Sequence, residues 1–196
     1  MPSVRLPYTF PTSLRTARLV LRPMTDADLD DIHAYQSRPD VCRYLPFEPR
    51  SRDEVAEKIA KYSAALVLNG DGDFWQLAIE RASDPGRVIG DLYFTIKAVA
   101  NATCEIGWVL HPDHTGSGYM TEAASAVLNI AFNDLGLHRA MAELDPRNHA
   151  SAALCERLGM RREADFLEDL WFKGEWGDTA IYAILEREWG ARTVFR

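Results

Sequence analysis

Thr115-Gly116-Ser117-Gly118 stands between an apolar run, Ile106 to Leu110, and an amphipathic stretch that begins at Tyr119-Met120-Thr121. A turn that opens a helix leaves the first amides without backbone partners and gathers the positive end of the peptide dipoles, so anions bind there. Glycines at 116 and 118 let an oxyanion approach the amides of residues 115 to 121 and permit positive φ. The same two glycines also fit an ordinary turn. A dinucleotide fingerprint is excluded because its third glycine position is Thr121, and a nucleotide P-loop is excluded because no lysine follows.

Beside this turn the carboxylate of interest is Glu105. In Cys104-Glu105-Ile106-Gly107-Trp108-Val109-Leu110, strand alternation puts Cys104, Ile106, Trp108 and Leu110 on one face and Glu105, Gly107 and Val109 on the other. Glu105 is then either a solvated strand residue or a general base. Gly107 marks a bulge or a close backbone approach. Further on, Asn148 stands three residues before Ser151, the spacing of a helix cap and a first-turn residue whose amide it satisfies. His111 and His114 have no third ligand nearby, so no metal is expected. Nothing resembles a Ser-His-Asp or Cys-His nucleophile, which points away from covalent catalysis.

The elements that must position these residues alternate. Arg18 to Arg22 reads as a strand stopped by Pro23, and Thr25 with Asp28 caps a helix to about Ser37. Pro39 to Pro49 reads as a loop, and Arg52 to Leu68 as a second helix. Strands follow at Phe74 to Arg81, Val88 to Ile96 and Thr103 to Leu110. Met120, Ala123, Ala124, Val127, Leu128, Ala131 and Leu135 recur at one-face helical spacing, with Gly136 as the stop. His138 to Leu144 is a strand, Asn148 to Leu158 a helix, and Glu163 to Phe172 and Thr179 to Arg187 the last two strands. That order predicts an α/β domain spanning 1–196, its core about 16–189.

With 47% hydrophobic and 26% charged residues, the 196-residue chain is an ordinary folded protein. A net charge of −7 opposes nucleic acid and anionic lipid, and tilts toward amine-bearing partners. Cys42, Cys104 and Cys155 form neither a CxxC pair nor a disulfide framework. Met1 to Phe10 has no leader pattern, and no apolar run approaches a membrane span, so a cytoplasmic location is expected.

EIGWVLHPDHTGSGYMTEA, with NHASAALCERLGM about 25 residues later, the opening TARLVLRPMTDADLDDI and the tail FKGEWGDTAIYAILEREW, resembles the GCN5-related N-acetyltransferase (GNAT) family in its RimJ/RimL-like branch. The resemblance implies a GNAT fold: a central mixed, mostly antiparallel twisted sheet of six to seven strands with helices on both faces. It implies acetyl transfer from acetyl-CoA, a co-substrate, to a primary amine on a small molecule or protein N-terminus, by direct attack in a ternary complex without metal. Pyrophosphate would lie on Thr115, Gly116, Ser117, Gly118, Tyr119, Met120 and Thr121. The family's turn carries Gln or Arg where Thr115 stands and Gly or Ala where Met120 stands. Pantetheine would meet Trp108, Val109, Leu110 and Asn148. Glu105 would serve as base and Ser151 as acid, with Cys155 a lesser candidate because it stands where many members carry an acidic tyrosine. Tyr44 to Phe47 and Lys173 to Asp178 would shape the acceptor side, with Tyr44, Trp75 and Trp171 as contacts. A homodimer is a further expectation. The alternative function is a non-catalytic acyl-CoA-binding module.

Overall fold

A computed structural model describes residues 4–193. The elements run β1 (Tyr8–Thr9), β2 (Leu14–Arg15), β3 (Leu19–Pro23), α1 (Leu29–Gln36), α2 (Pro39–Cys42), α3 (Arg52–Ala64), β4 (Val67–Leu68), β5 (Phe74–Arg81), β6 (Asp84–Ala98) and β7 (Thr103–Leu110). They continue with α4 (Tyr119–Asn129), β8 (Arg139–Leu144), α5 (His149–Arg157), β9 (Arg161–Phe172), β10 (Glu175–Leu185) and α6 (Glu186–Thr193).

One sheet of eight strands, in the order β2-β3-β5-β6-β7-β8-β10-β9, forms the centre. The seven expected strands are all in it, and the eighth is the two-residue β2, too short to carry an alternating pattern. Every neighbouring pair is antiparallel except β7 and β8. Alternation along the strands gives each face its own core. Trp75, Leu77, Phe94 and Ile106 pack with Ala123, Val127 and Leu128 of α4 and Leu154 of α5. On the opposite face Ala78 and Val88 pack with Ile32 and Tyr35 of α1 and Val55 and Ile59 of α3.

Local signals hold at the helix starts. Thr25 and Asp28 form the anticipated capping box, and Ser51 with Glu54 forms a second one ahead of α3. Three boundaries differ from expectation for tertiary reasons. α3 stops at Ala64 rather than Leu68, because the Leu66 carbonyl accepts from the Phe10 amide and the Trp75 indole, and Val67–Leu68 pairs with β1. The Pro39–Pro49 loop contains the single turn α2, opened by a proline at its start. The α4 periodicity continues past Asn129 as a π-turn, Ile130–Asp134, in which the Leu135 amide reaches back to the Ile130 carbonyl.

Candidate active site

β7 and β8 pair only at Thr103↔Arg139, Cys104↔Ala140 and Glu105↔Met141, and then part. β6 keeps pairing with β7 as far as Leu110, and β10 with β8 as far as Leu144. From Ile106 onward the β8-facing edge of β7 therefore has no strand beside it. A cleft of about 1420 Å³ opens in this wedge, passes the start of α4 and continues along that helix. Trp108, Val109, Leu110, Thr115, Gly116, Gly118, Tyr119, Met120, Thr121, Asn148 and Ser151 all line it. Ser117 does not, its carbonyl being taken by Arg18 Nη1 at 2.9 Å.

The turn beside the cleft presents backbone amides without protein partners among the described residues. Gly116 has φ 76 and Gly118, the cap of α4, has φ 75, conformations that favour glycine. Among the described residues the amides of Gly116 through Thr121 donate no hydrogen bond, whereas the Glu122 amide closes onto the Gly118 carbonyl. These free donors at the positive end of a helix suit a diphosphate. Thr115 cannot add a long side-chain donor, and its hydroxyl donates to the Pro112 carbonyl at 2.8 Å. Met120 is accommodated because its side chain turns into the core, 6% exposed.

Asn148 caps α5, its Oδ1 accepting from the Ser151 amide at 3.1 Å and leaving its own NH₂ free for a ligand. The Ser151 hydroxyl accepts from the Trp108 indole at 3.2 Å. Cys155 is fully buried in the core and absent from the cleft lining, and burial pushes its thiol up to about 12, so it is corrected from candidate acid to packing residue.

Glu105 is outside the cleft lining. It pairs with Lys97 Nζ at 2.8 Å, and Lys97 also approaches Glu143 Oε1 at 3.7 Å. The hydrogen bond with Glu105 holds the Lys97 pKa above its usual value, so this lysine is an ammonium at neutral pH. Glu105 thus stands where β7 last touches β8, on the face that α1 and α3 cover, opposite Trp108 and Ser151.

The acceptor contacts need correction. Trp75 is fully buried on the α4 face, stacked on Phe94 at 5.0 Å between ring centroids, and cannot meet a substrate. Trp171 is 60% exposed on the β9–β10 hairpin, edge-on to Trp176 and away from the cleft. Tyr44 lies outside the lining, flanked by Arg43 and Arg147, while its neighbours Val41 and Leu45 supply the cleft wall. The two expected segments do meet: Lys173 at the hairpin turn donates to the Cys42 and Leu45 carbonyls, and Glu175 pairs with Arg147 at 2.9 Å.

Arg18, just ahead of β3, is the cleft-lining residue that local pattern misses. It binds Glu122 Oε2 at 2.7 Å, lies over the Tyr119 ring at 4.8 Å and lines the cleft beside Gly118. Arg157 of α5, which donates to the Thr121 hydroxyl at 3.3 Å, flanks the turn from the other side. These two guanidiniums bring cationic charge where Thr115 brings none. Their sequence separation from the turn hides them: Arg18 lies in TARL, about a hundred residues before the turn, and Arg157 in the α5 segment after it. His111 and His114 stand 5.7 Å apart by ring centroid, and among the described residues no group of three His, Cys, Asp or Glu is arranged to hold a metal.

A parted parallel pair with a glycine turn at the neighbouring helix fits the acetyltransferase fold that the resemblance implies, and the comparisons agree. The acetyltransferase (GNAT) domain model matches residues 18–161, and the chain belongs to the GNAT family of N-acetyltransferases. An uncharacterized N-acetyltransferase of Bacillus subtilis, YnaD, is 34% identical over 176 residues, covering 90% of this chain and 98% of its own. The crystal structure of a GNAT-family acetyltransferase from Bacillus anthracis superposes with a TM-score of 0.79 at 30% identity, covering 89% of this chain and 99% of that one. An Escherichia coli [ribosomal protein uS5]-alanine N-acetyltransferase is 30% identical over 86 residues, 44% of each chain. No helix among the described residues is long and apolar enough to cross a membrane.

Proposed function

We propose that the protein transfers an acetyl group from acetyl-CoA to a primary amine by direct attack within a ternary complex. The observation that carries this reading is the row of unpartnered amides from Gly116 to Thr121, opening on a cleft that runs into the β7–β8 wedge. The turn, with Arg18 and Arg157, would hold the diphosphate, and the free NH₂ of Asn148 and the bare edge of β7 would hold the pantetheine. Bound there, the coenzyme supplies an acyl carbon activated as a thioester.

The remaining chemistry belongs to side chains. An amine arrives as an ammonium and must lose a proton before attack; Glu105 is the assigned acceptor of that proton. When the C–N bond forms and the C–S bond breaks, the electron pair leaves on sulfur, Ser151 of the cleft wall gives sulfur a proton, and the second proton shed by the now cationic nitrogen passes to water, which returns one to Ser151. The acceptor meets the protein beside Val41, Leu45 and the Lys173 hairpin. The similarity to the uS5-alanine enzyme favours a protein N-terminus and the RimJ/RimL-like branch, and a net charge of −7 suits a cationic acceptor. Three free, buried cysteines fit a reducing cytoplasm.

A thiol-release screen with acetyl-CoA tests this, using alanine- and serine-ended peptides, spermidine and lysine as acceptors. Turnover with at least one acceptor is expected. Thermal stabilisation by acetyl-CoA without turnover on any of them would establish the non-catalytic binding module instead.

A further inference from the structure

Ser151 differs from Ser37, at the end of α1, and Ser63, in α3, whereas Ser125 of α4, like Ser151, has no bond to the turn before it among the described residues. Ser37 donates its hydroxyl to the His33 carbonyl at 2.7 Å, and Ser63 to the Ala60 carbonyl at 3.1 Å, the usual bond of a serine to the preceding turn. Ser151 makes no such bond. Its Oγ accepts from the Trp108 indole, which is a donor only, and its own hydrogen has no acceptor among the described residues. Ser151 lines the cleft, so a hydroxyl without a protein acceptor among the described residues stands at the wall of the space proposed for the thioester.

The bond also has an unusual path. It leaves β7 and ends on α5, joining residues 43 apart across the wedge where β7 and β8 no longer pair. Trp108 stands on the face of β7 that packs toward α4 and α5, which is why its indole can span the gap.

We propose that Trp108 is a positioning residue: its N–H occupies one lone pair of Ser151 Oγ and so turns the hydroxyl hydrogen toward the leaving sulfur. This rests on the reading that Ser151 protonates the thiolate. With the N–H removed, the hydroxyl is free to rotate onto the backbone as Ser37 and Ser63 do, and fewer encounters present a proton to sulfur. The net reaction is unchanged, with the C–S bond broken, the C–N bond made, one proton lost from the attacking nitrogen to water and one delivered to sulfur through Ser151.

The test is a double-mutant cycle with Trp108→Phe, which keeps an aromatic ring but no donor, and Ser151→Ala, read by CoA release with the fastest acceptor from the screen. Ser151→Ala is expected to lower kcat about 100-fold, within the range for a lost acid. Trp108→Phe should lower it about 5- to 10-fold, the worth of one hydrogen bond, with the KM for acetyl-CoA within twofold. In the Ser151→Ala background Trp108→Phe should change kcat by less than twofold. Calorimetric acetyl-CoA affinity within twofold of wild type shows that each variant is folded. Wild-type kcat in Trp108→Phe beside a slow Ser151→Ala overturns the positioning role and leaves the acid in place. Full additivity of the two effects overturns it equally, since the tryptophan then acts through cleft shape. Wild-type kcat in Ser151→Ala overturns the acid assignment and with it the role of Trp108.

Discussion

Replacing Arg18 by glutamine separates charge from fold at the anion turn. The guanidinium makes three contacts: Glu122 at 2.7 Å, the Ser117 carbonyl at 2.9 Å and the Tyr119 ring at 4.8 Å. Its Nη2 lies 3.6 Å from where a Cβ on Gly118 would stand, so cationic charge sits against the turn itself. With 49% of the side chain exposed, the ion pair contributes no more than about 1 kcal/mol to folding, and the variant stays folded with a Tm lowered by about 2–4 °C. A hydrogen bond to a charged group is worth about 1.5–3 kcal/mol. Halving that for exposure leaves about 1 kcal/mol, a five- to tenfold rise in KM. Initial rates of thiol release are compared for acetyl-CoA and for acetyl-pantetheine, which lacks diphosphate and nucleotide. The KM for acetyl-CoA should rise five- to tenfold with kcat unchanged, and that for acetyl-pantetheine should stay the same. An equal rise for both donors, or none for acetyl-CoA, refutes the reasoning. A wild-type protein indifferent to the two donors refutes the phosphate assignment of the turn itself.

Gly118→Ala forces a left-handed conformation on an L-residue, so a Tm loss of several degrees, matching about 1–2 kcal/mol, is expected, together with weaker acetyl-CoA binding by calorimetry. Glu105→Gln should lower kcat about 100-fold at pH 7, and the deficit should shrink as pH passes the acceptor amine's own pKa, where neutral amine no longer needs a base. Burial would raise the Glu122 carboxyl, but hydrogen bonds from Thr16 and Arg18 outweigh it, and its pKa lies below the usual value. That depressed value contributes stability above about pH 4.3, the unfolded pKa, which is lost as pH falls through the lower folded pKa. Acid unfolding curves of wild type and Glu122→Gln should therefore converge at low pH. Trp75→Ala should cost about 3–5 kcal/mol in urea unfolding, whereas Trp171→Ala, on the exposed hairpin, should leave stability within about 1 kcal/mol.

What could be read in the sequence was whatever short-range physics decides. Capping residues located the starts of α1 and α5, the acidic first turn Asp53-Glu54 located α3, and two glycines marked the turn at 116–118, both at positive φ. Asn148 proved to be the cap its spacing suggested, with Ser151 as the residue it holds. The misreadings share a cause, which is that strand neighbours are remote in sequence. Trp75 looked as available as Trp171, yet one faces α4 across the core and the other lies on the edge hairpin, a difference set by strand order. Arg18 and Glu122 are 104 residues apart, and no periodicity links them. The end of α3 was lost to a carbonyl at Leu66 that two distant donors claim.

The placement of Glu105 and Ser151, the groups proposed to handle protons, bears on whether the proposed acetyl transfer is direct or passes through an acyl-enzyme. A nucleophilic serine needs its proton removed by an adjacent base, and no base holds Ser151; its Oγ instead receives a hydrogen bond from Trp108, which draws electron density from the oxygen. The same bond that weakens the oxygen as a nucleophile strengthens the O–H as a donor. Cys155 is no better placed, being buried, absent from the cleft and pushed up to about 12. Glu105 meanwhile comes from the α1 and α3 side of the sheet, and Ser151 from the α4 and α5 side, with the parted edges of β7 and β8 between them. Under the proposed roles, an amine deprotonated on one face would reach a thioester in the wedge while sulfur is protonated from the other. That division favours attack by the amine itself.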